Sequence, residues 1–249
     1  MKTISILNNK GGVGKTTTAI SLAGALSTMG NKILLIDLDG QANMTNSLGI
    51  TDVEKSVYEN LKGDAQIHIY SVCDNVDILP ASHDLHVVEM ELSSEPGREM
   101  ILRELIDTPD NSKYDFVIID CPPSLGLLSI NALVASNYII IPVEAEPLAL
   151  NGMSKIMDIF SKVKKRLNPS IEILGILVTK YDKRKIINRD VVKTIETHFK
   201  DLIFKSFIRD NVTLAEAPSQ GIDIIRYAPK SNGAKDYISL AEEVIERTK

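Results

Sequence analysis

The chain has 249 residues, of which 44% are hydrophobic and 24% charged, and a formal net charge of −5; this is the composition of a globular protein and excludes a disordered, fibrous or low-complexity chain. Two cysteines far apart, Cys73 and Cys121, exclude a disulfide framework and a C-x-x-C metal or redox site. No apolar stretch approaches the roughly 20 residues of a membrane span, and the overall acidity argues against a chain that simply coats nucleic acid.

The first residues, Met1 to Ile6, run straight into a short apolar segment without the longer apolar region and cleavage site of a secretion signal, so a reducing cytoplasm is the expected location. In chain order, the clearest runs of Ile, Leu and Val are Thr3 to Leu7, Lys32 to Leu38, Asp115 to Asp120, Tyr138 to Val143 and Ile171 to Thr179. Several are continuously apolar, as a strand covered on both faces requires. Between them, Thr16 to Met29 reads as a helix closed by Gly30, and Asn151 to Leu167 as a second that ends before Asn168-Pro169. Weaker helical patterns cover Gly97 to Ile106, Ile186 to Phe199 and Gly233 to Arg247, and Thr51 to Leu92 is the least readable stretch. The alternation predicts an α/β fold: a doubly wound, mostly parallel sheet with helices on both faces, residues 1–249 forming a single domain.

At the end of the first strand, Ile4-Ser5-Ile6-Leu7 is followed by Asn8-Asn9-Lys10-Gly11-Gly12-Val13-Gly14-Lys15-Thr16-Thr17 and then by a helical pattern. This is the strand, glycine loop and helix order of a phosphate cradle. The glycines let successive N–H groups turn inward, and the helix N-terminus adds its positive dipole end. In such a P-loop, Lys15 lies along the β and γ phosphates of ATP and the Thr16 hydroxyl ligates Mg2+, while Thr17 is expected on the α phosphate. The ordinary spacing puts a glycine at position 9; this chain has Asn9 there, and an additional lysine, Lys10.

The second strand ends in Ile36-Asp37-Leu38-Asp39-Gly40-Gln41. Carboxylates two apart share one side of an extended segment, and at a strand end beside a phosphate loop they are positioned to hold magnesium or a water. Tyr114 to Asp120 has the form of a Walker B strand, with Asp120 expected to bind magnesium through its water shell. From Lys155 to Arg209 there are 14 Lys and Arg against 6 Asp and Glu, so one face is expected to be basic on an acidic body. Within it, Lys180, Lys183, Arg184, Lys185, Arg189 and Lys193 form a candidate DNA patch. Without interleaved aromatics, such a patch contacts backbone phosphates.

The K-G-G-x-G-K-[ST] form of the loop resembles the deviant Walker A motif of the superfamily that holds ParA, MinD and the nitrogenase iron protein. Asp37 to Asn43 resembles the D-x-D-P-Q-x-N element of the ParA family, with Gly40 in place of the usual proline, and Asp120-Cys121-Pro122-Pro123 resembles its D-x-P-P switch. Pro142 to Glu146, Ala149 to Gly152, Leu214 to Ser219, and Tyr227 to Pro229 with Ser231 and Gly233-Ala234 extend the resemblance over nearly the whole chain, towards the ParA/Soj partition ATPases.

That resemblance implies Mg-dependent ATP hydrolysis and an ATP-sandwich homodimer in which Lys10 reaches into the partner's nucleotide site. It implies that Asp39 positions the attacking water, with Asp37 in a supporting role, and that Thr16, Asp37 and Asp120 form the metal site. Ile208-Arg209-Asp210-Asn211 is the counterpart of an I-P-R-N segment that contacts the adenine. Asn211 keeps the match, whereas Arg209 stands where the family has proline and Asp210 where it has arginine. Partners implied are non-specific DNA of the nucleoid and a ParB-like centromere-binding protein. Gly40 is expected to loosen its loop.

A MinD-like septum-positioning ATPase would need a basic amphipathic C-terminal helix for its membrane, but Leu240 to Lys249 carries three glutamates and no aromatic. An iron–sulfur ATPase would need clustered thiols. An assembly or regulatory ATPase with the same loop shares the chemistry and differs only in cargo.

Overall fold

The computed structural model describes residues 1–64, 66–146 and 149–249, with the backbone alone for 149–151. Among these, β1 (Lys2–Ile6), β2 (Ile33–Asp37), β3 (Tyr70–Cys73), β4 (Val76–Leu79), β5 (Phe116–Asp120), β6 (Tyr138–Glu144) and β7 (Glu172–Thr179) form one sheet in the order β3-β4-β2-β5-β1-β6-β7. Every pairing is parallel except that of β3 with β4, so the strands are joined by helical crossovers. The helices are α1 (Lys15–Thr28), α2 (Asn43–Ser47), α3 (Val57–Leu61), α4 (Leu85–Glu91), α5 (Ile101–Ile106), α6 (Leu127–Ala135), α7 (Ala149–Arg166), α8 (Ile186–Phe199), α9 (Thr213–Glu216), α10 (Ile224–Tyr227) and α11 (Asn232–Arg247).

The five strands expected from the sequence lie within one residue of their expected ends. The stretch the sequence leaves unread supplies β3, β4 and the short helices around them. Successive residues of a strand face opposite sides of a sheet, and here both sides are apolar. Leu34 and Ile36 of β2, with Val117 and Ile119 of β5, enter one core with Leu85 of α4, Leu102 of α5, Leu133 of α6 and Ile156 of α7. Ile33, Leu35, Phe116 and Ile118 enter the other, against Leu22 and Leu26 of α1 and Tyr237 and Leu240 of α11.

The helix after the first strand is bounded by two glycines in the left-handed region, where a side chain is strained. Gly14 (φ 89°) precedes α1, and Gly30 (φ 85°) follows it. The N–H of Gly30 donates to Ser27 O (3.0 Å) and that of Asn31 to Leu26 O (3.3 Å), a Schellman closure.

A second close approach carries the chain back to the site. The segment after α8 runs along β7, with Phe204 N donating to Ile176 O (3.0 Å) and Ile208 N to Val178 O (2.9 Å). Phe204 is fully buried and lies over Gly175, where an added Cβ would come 2.5 Å from its ring. A fully buried Phe stabilises by roughly 1.5–3 kcal/mol, so this packing fixes where Arg209 to Asn211 emerge. Among the described residues, no helix is long and apolar enough to cross a membrane.

Candidate active site

In a parallel sheet the C-terminal ends of the strands open towards a crevice. Here the ends of β1, β2 and β5 meet there: Ile6 is in register with Asp120, and Asp120 with Asp37. The glycine loop leaves β1 and is tied on both sides. Asn8 Nδ2 donates to Pro142 O (2.6 Å) beyond β1, its Oδ1 accepts from Lys10 N (2.9 Å), and Thr179 Oγ1 at the end of β7 donates to Val13 O (2.9 Å). Gly12 (φ 76°) and Gly14 take the left-handed conformation the loop requires, and no atom lies within 4 Å of a Cβ added at Gly11 or Gly12. Lys15 is buried and its Nζ folds back to donate to Lys10 O (3.2 Å).

Thr16 Oγ1 donates to Asp120 Oδ2 at 2.6 Å. Asp120 is buried, and its Oδ1 has no hydrogen-bond partner among the described residues. Burial pushes its carboxyl well above the usual range, and the neighbouring Asp37 adds to this. An orphaned buried acceptor beside a hydroxyl is a donor set that fits a hard cation such as Mg2+. Asp37 is fully buried and pushed up to about 6, chiefly by burial. Its Oδ1 accepts from Asp39 N (3.1 Å), and its Oδ2 accepts from Thr45 N (3.0 Å) and Thr45 Oγ1 (2.8 Å). Both of its oxygens are thus engaged by the Asp39–Thr45 segment.

Asp39 heads that turn, with its Oδ1 accepting from Gln41 N (3.0 Å). The turn is held from outside as well: Gly40 O lies 3.1 Å from His83 Nδ1, and Gln41 Nε2 lies 3.1 Å from His86 Nε2. A Cβ at position 40 would come 3.0 Å from the His86 ring, which would have to give way slightly to admit it.

Beside the loop lies a pocket of about 170 Å³, lined by Gly14, Thr17, Thr179, Lys180, Arg209, Asn211, Leu214 and Tyr237 among others. The two residues expected at the adenine therefore do reach the phosphate loop. Arg209 is locked to Asp236, its Nε within 3.1 Å and 3.0 Å of the two carboxylate oxygens and its Nη2 2.5 Å from Oδ1. Asn211 Oδ1 accepts from Thr213 N and Oγ1.

Of the six basic residues, Lys180 stands apart, because it lines this pocket and pairs with Glu144 (3.4 Å). Lys183, Arg184 and Lys185 lie exposed on the turn before α8, and Arg189 and Lys193 are exposed on α8. Arg184 folds onto Asp182 (2.9 Å) and draws that carboxyl down to about 2. Lys10 pairs with Glu146 of its own chain at 2.6 Å, with Glu144 at 4.0 Å, and the bond to Glu146 raises its pKa. The side chains of Ala149, Leu150 and Asn151, which the resemblance includes, lie outside the described residues.

A P-loop NTPase is the class this geometry defines, since the glycine loop leaves a central strand and its helix-opening threonine meets the acid that ends the neighbouring strand. Residues 1–173 match the family model of the AAA domain. The chain is 43% identical to the sporulation initiation inhibitor protein Soj of Bacillus subtilis, over 98% of each protein, and 39% identical to the chromosome partitioning protein ParA of Caulobacter vibrioides, over 99% of this chain and 95% of that one. It therefore belongs to the ParA/Soj family of chromosome-partitioning ATPases. In structure it is similar to cobyrinic acid a,c-diamide synthase of Mycobacterium smegmatis with bound ATP analogue and magnesium (TM-score 0.88, 33% identity, covering 100% of this chain and 96% of that one).

The sequence reading missed the tethers. Asn8 and Thr179 carry no local signal, because their partners lie 134 and 166 residues away. Asn9 sits where the common P-loop has glycine, and a Cβ at Gly152 would come 2.9 Å from its Oδ1. Replacing Thr179 by Val keeps the shape but leaves the buried Val13 carbonyl without its donor, at a cost of about 1–3 kcal/mol. Urea denaturation should show that loss for Thr179→Val and little of it for Thr179→Ser, with weaker nucleotide binding for the valine variant.

Proposed function

We propose that residues 1–249 form one domain, a cytoplasmic, nucleoid-associated and Mg-dependent ATPase that dimerises around ATP, binds DNA without sequence preference and is stimulated by a ParB-like partner. The observation that carries the reading is the contact between Thr16 and Asp120 at the mouth of the sheet, with the second oxygen of Asp120 buried and without a partner among the described residues. The full-length likeness to Soj and ParA supports the biological setting.

Gly11, Gly12, Val13 and Gly14 present backbone N–H groups to the phosphates, and Lys15 neutralises the β and γ oxygens. Thr16 and Asp120, with Asp37 beside them, would hold Mg2+, which would supply positive charge against the phosphate oxygens. Asp39 orients the attacking water, and Asp37 supports it through the bond from Asp39 N. Thr17 contacts the α phosphate, while Arg209, fixed by Asp236, and the Nδ2 of Asn211 meet the base. The apolar face of α11 packs on the core through Tyr237, Leu240 and Val244, which counts against its use as a membrane anchor.

Lys15→Ala should abolish nucleotide binding and hydrolysis together, whereas Asp39→Ala should stop hydrolysis and leave ATP binding intact. Phosphate release and nucleotide titration on pure protein read the two effects; hydrolysis unchanged by Lys15→Ala would contradict the P-loop assignment.

A monomer offers few cations on an acidic body, and a two-fold dimer presents them twice, which multiplies affinity and steepens its salt dependence. Binding to unrelated DNA sequences should therefore require ATP and fall steeply with added salt. Lys183→Glu with Arg184→Glu should weaken it at least several-fold while the melting temperature and ATP binding are kept; a folded double variant that binds DNA like wild type places the DNA surface elsewhere.

A further inference from the structure

Helix α4 touches two loops of the crevice at once. Leu85 and Val88 anchor it in the core. From one end His83 and His86 meet the Asp39 turn, through Gly40 O at 3.1 Å and Gln41 Nε2 at 3.1 Å. At the other, Glu89 Oε1 accepts from Leu128 N (3.0 Å), at the start of α6 beyond the Pro122–Gly126 loop. Both approaches are close: a Cβ would come 3.0 Å from the His86 ring at Gly40, and 2.5 Å from the Glu89 carboxylate at Gly126, so each side chain would have to shift to admit one.

We propose that His83 and His86 are positioning residues for ATP hydrolysis: placed on the turn that leads into α4 and on its first turn, they clamp the Gly40–Gln41 turn and so fix where the Asp39 carboxylate stands. The inference rests on the reading of Asp39 as the group that orients the attacking water. A short exposed turn has many conformations available, and each contact to an element anchored in the core removes some of them. Two side chains three residues apart, His83 before α4 to the carbonyl and His86 on α4 to the next side chain, fix both the height and the rotation of the turn. Because Glu89 ties the same helix to the loop after β5, the two acid-bearing strand ends share one external support.

A misplaced catalytic group lowers the rate without altering the phosphate cradle, and an error of about 1 Å is worth up to ~100-fold. Steady-state hydrolysis should show His86→Ala with kcat reduced about ten-fold, KM for ATP within about two-fold of wild type and an unchanged melting temperature. His86→Gln, which keeps a hydrogen-bonding group for Gln41, should recover most of the rate. Gly40 is not in the left-handed region, so Gly40→Ala tests space and not backbone strain. It should lower kcat alone, and when combined with His86→Ala it should add nothing further.

A His86→Ala enzyme with wild-type kcat beside an inactive Asp39→Ala overturns the clamp and leaves the reading of Asp39 standing; additive losses in the double variant overturn it too. If His86→Ala fails to fold, Gly40→Ala decides, and a wild-type kcat there contradicts the clamp. Full hydrolysis by Asp39→Ala would remove the reading on which the inference rests, and the inference with it.

Discussion

Two carboxylates, Asp37 and Asp120, end neighbouring strands in register with each other, and both are buried. Burial makes each charge costly, and each charge raises the cost of the other. The surroundings offset this only in part. Asp37 accepts three protein hydrogen bonds, whereas Asp120 accepts one and keeps an oxygen unpaired. Both carboxyls stand above their ordinary range for this reason. A cation at the mouth of the sheet relieves the strain, and the groups that bring or hold one, Lys15 and Thr16, are delivered there by the loop after β1, the strand next to β5.

What keeps the arrangement in place is the sheet's own rigidity, passed outward by single contacts. Thr179 and Asn8 tie the glycine loop to strands on its far side, Asp37 ties the Asp39 turn to the end of β2, and α4 braces that turn from outside. A change of charge at the phosphates thus acts on loops whose other ends are fixed, the usual way in which a local electrostatic event moves a defined element.

Much of this was legible in the sequence wherever the physics is local. Continuous apolar runs marked the five core strands, and the glycine at 30 marked the end of α1, because a strand between two layers and a left-handed turn leave their imprint on adjacent residues. The edge was illegible for the converse reason. Tyr70 to Cys73 is only half covered and pairs across a two-residue turn, so its pattern is neither alternating nor continuous. Partners that meet across the fold were equally hidden. Nothing near Arg209 announces Asp236, nothing near Asp39 announces His83 and His86, and Lys180 reads as one more surface cation until β7 is seen to end beside the pocket. Gly40 was visible as a departure, but its close neighbour, the His86 ring, lies 46 residues on.

The role proposed for Lys10 joins the chemistry of one chain to the assembly of two. Its ammonium rests on Glu146 of its own chain, in an ion pair that is half exposed, and contacts of that kind contribute about 1 kcal/mol or less. In the proposed dimer the lysine would therefore be cheaply released to a stronger anion, the nucleotide of a second copy. Sedimentation velocity of Lys10→Ala and wild-type protein with Mg2+ and a non-hydrolysable ATP analogue tests this most directly. The account predicts a wild-type dimer with the analogue, a monomer without it, and a Lys10→Ala protein that still binds the analogue but stays monomeric. A Lys10→Ala protein that dimerises as fully as wild type would contradict the account.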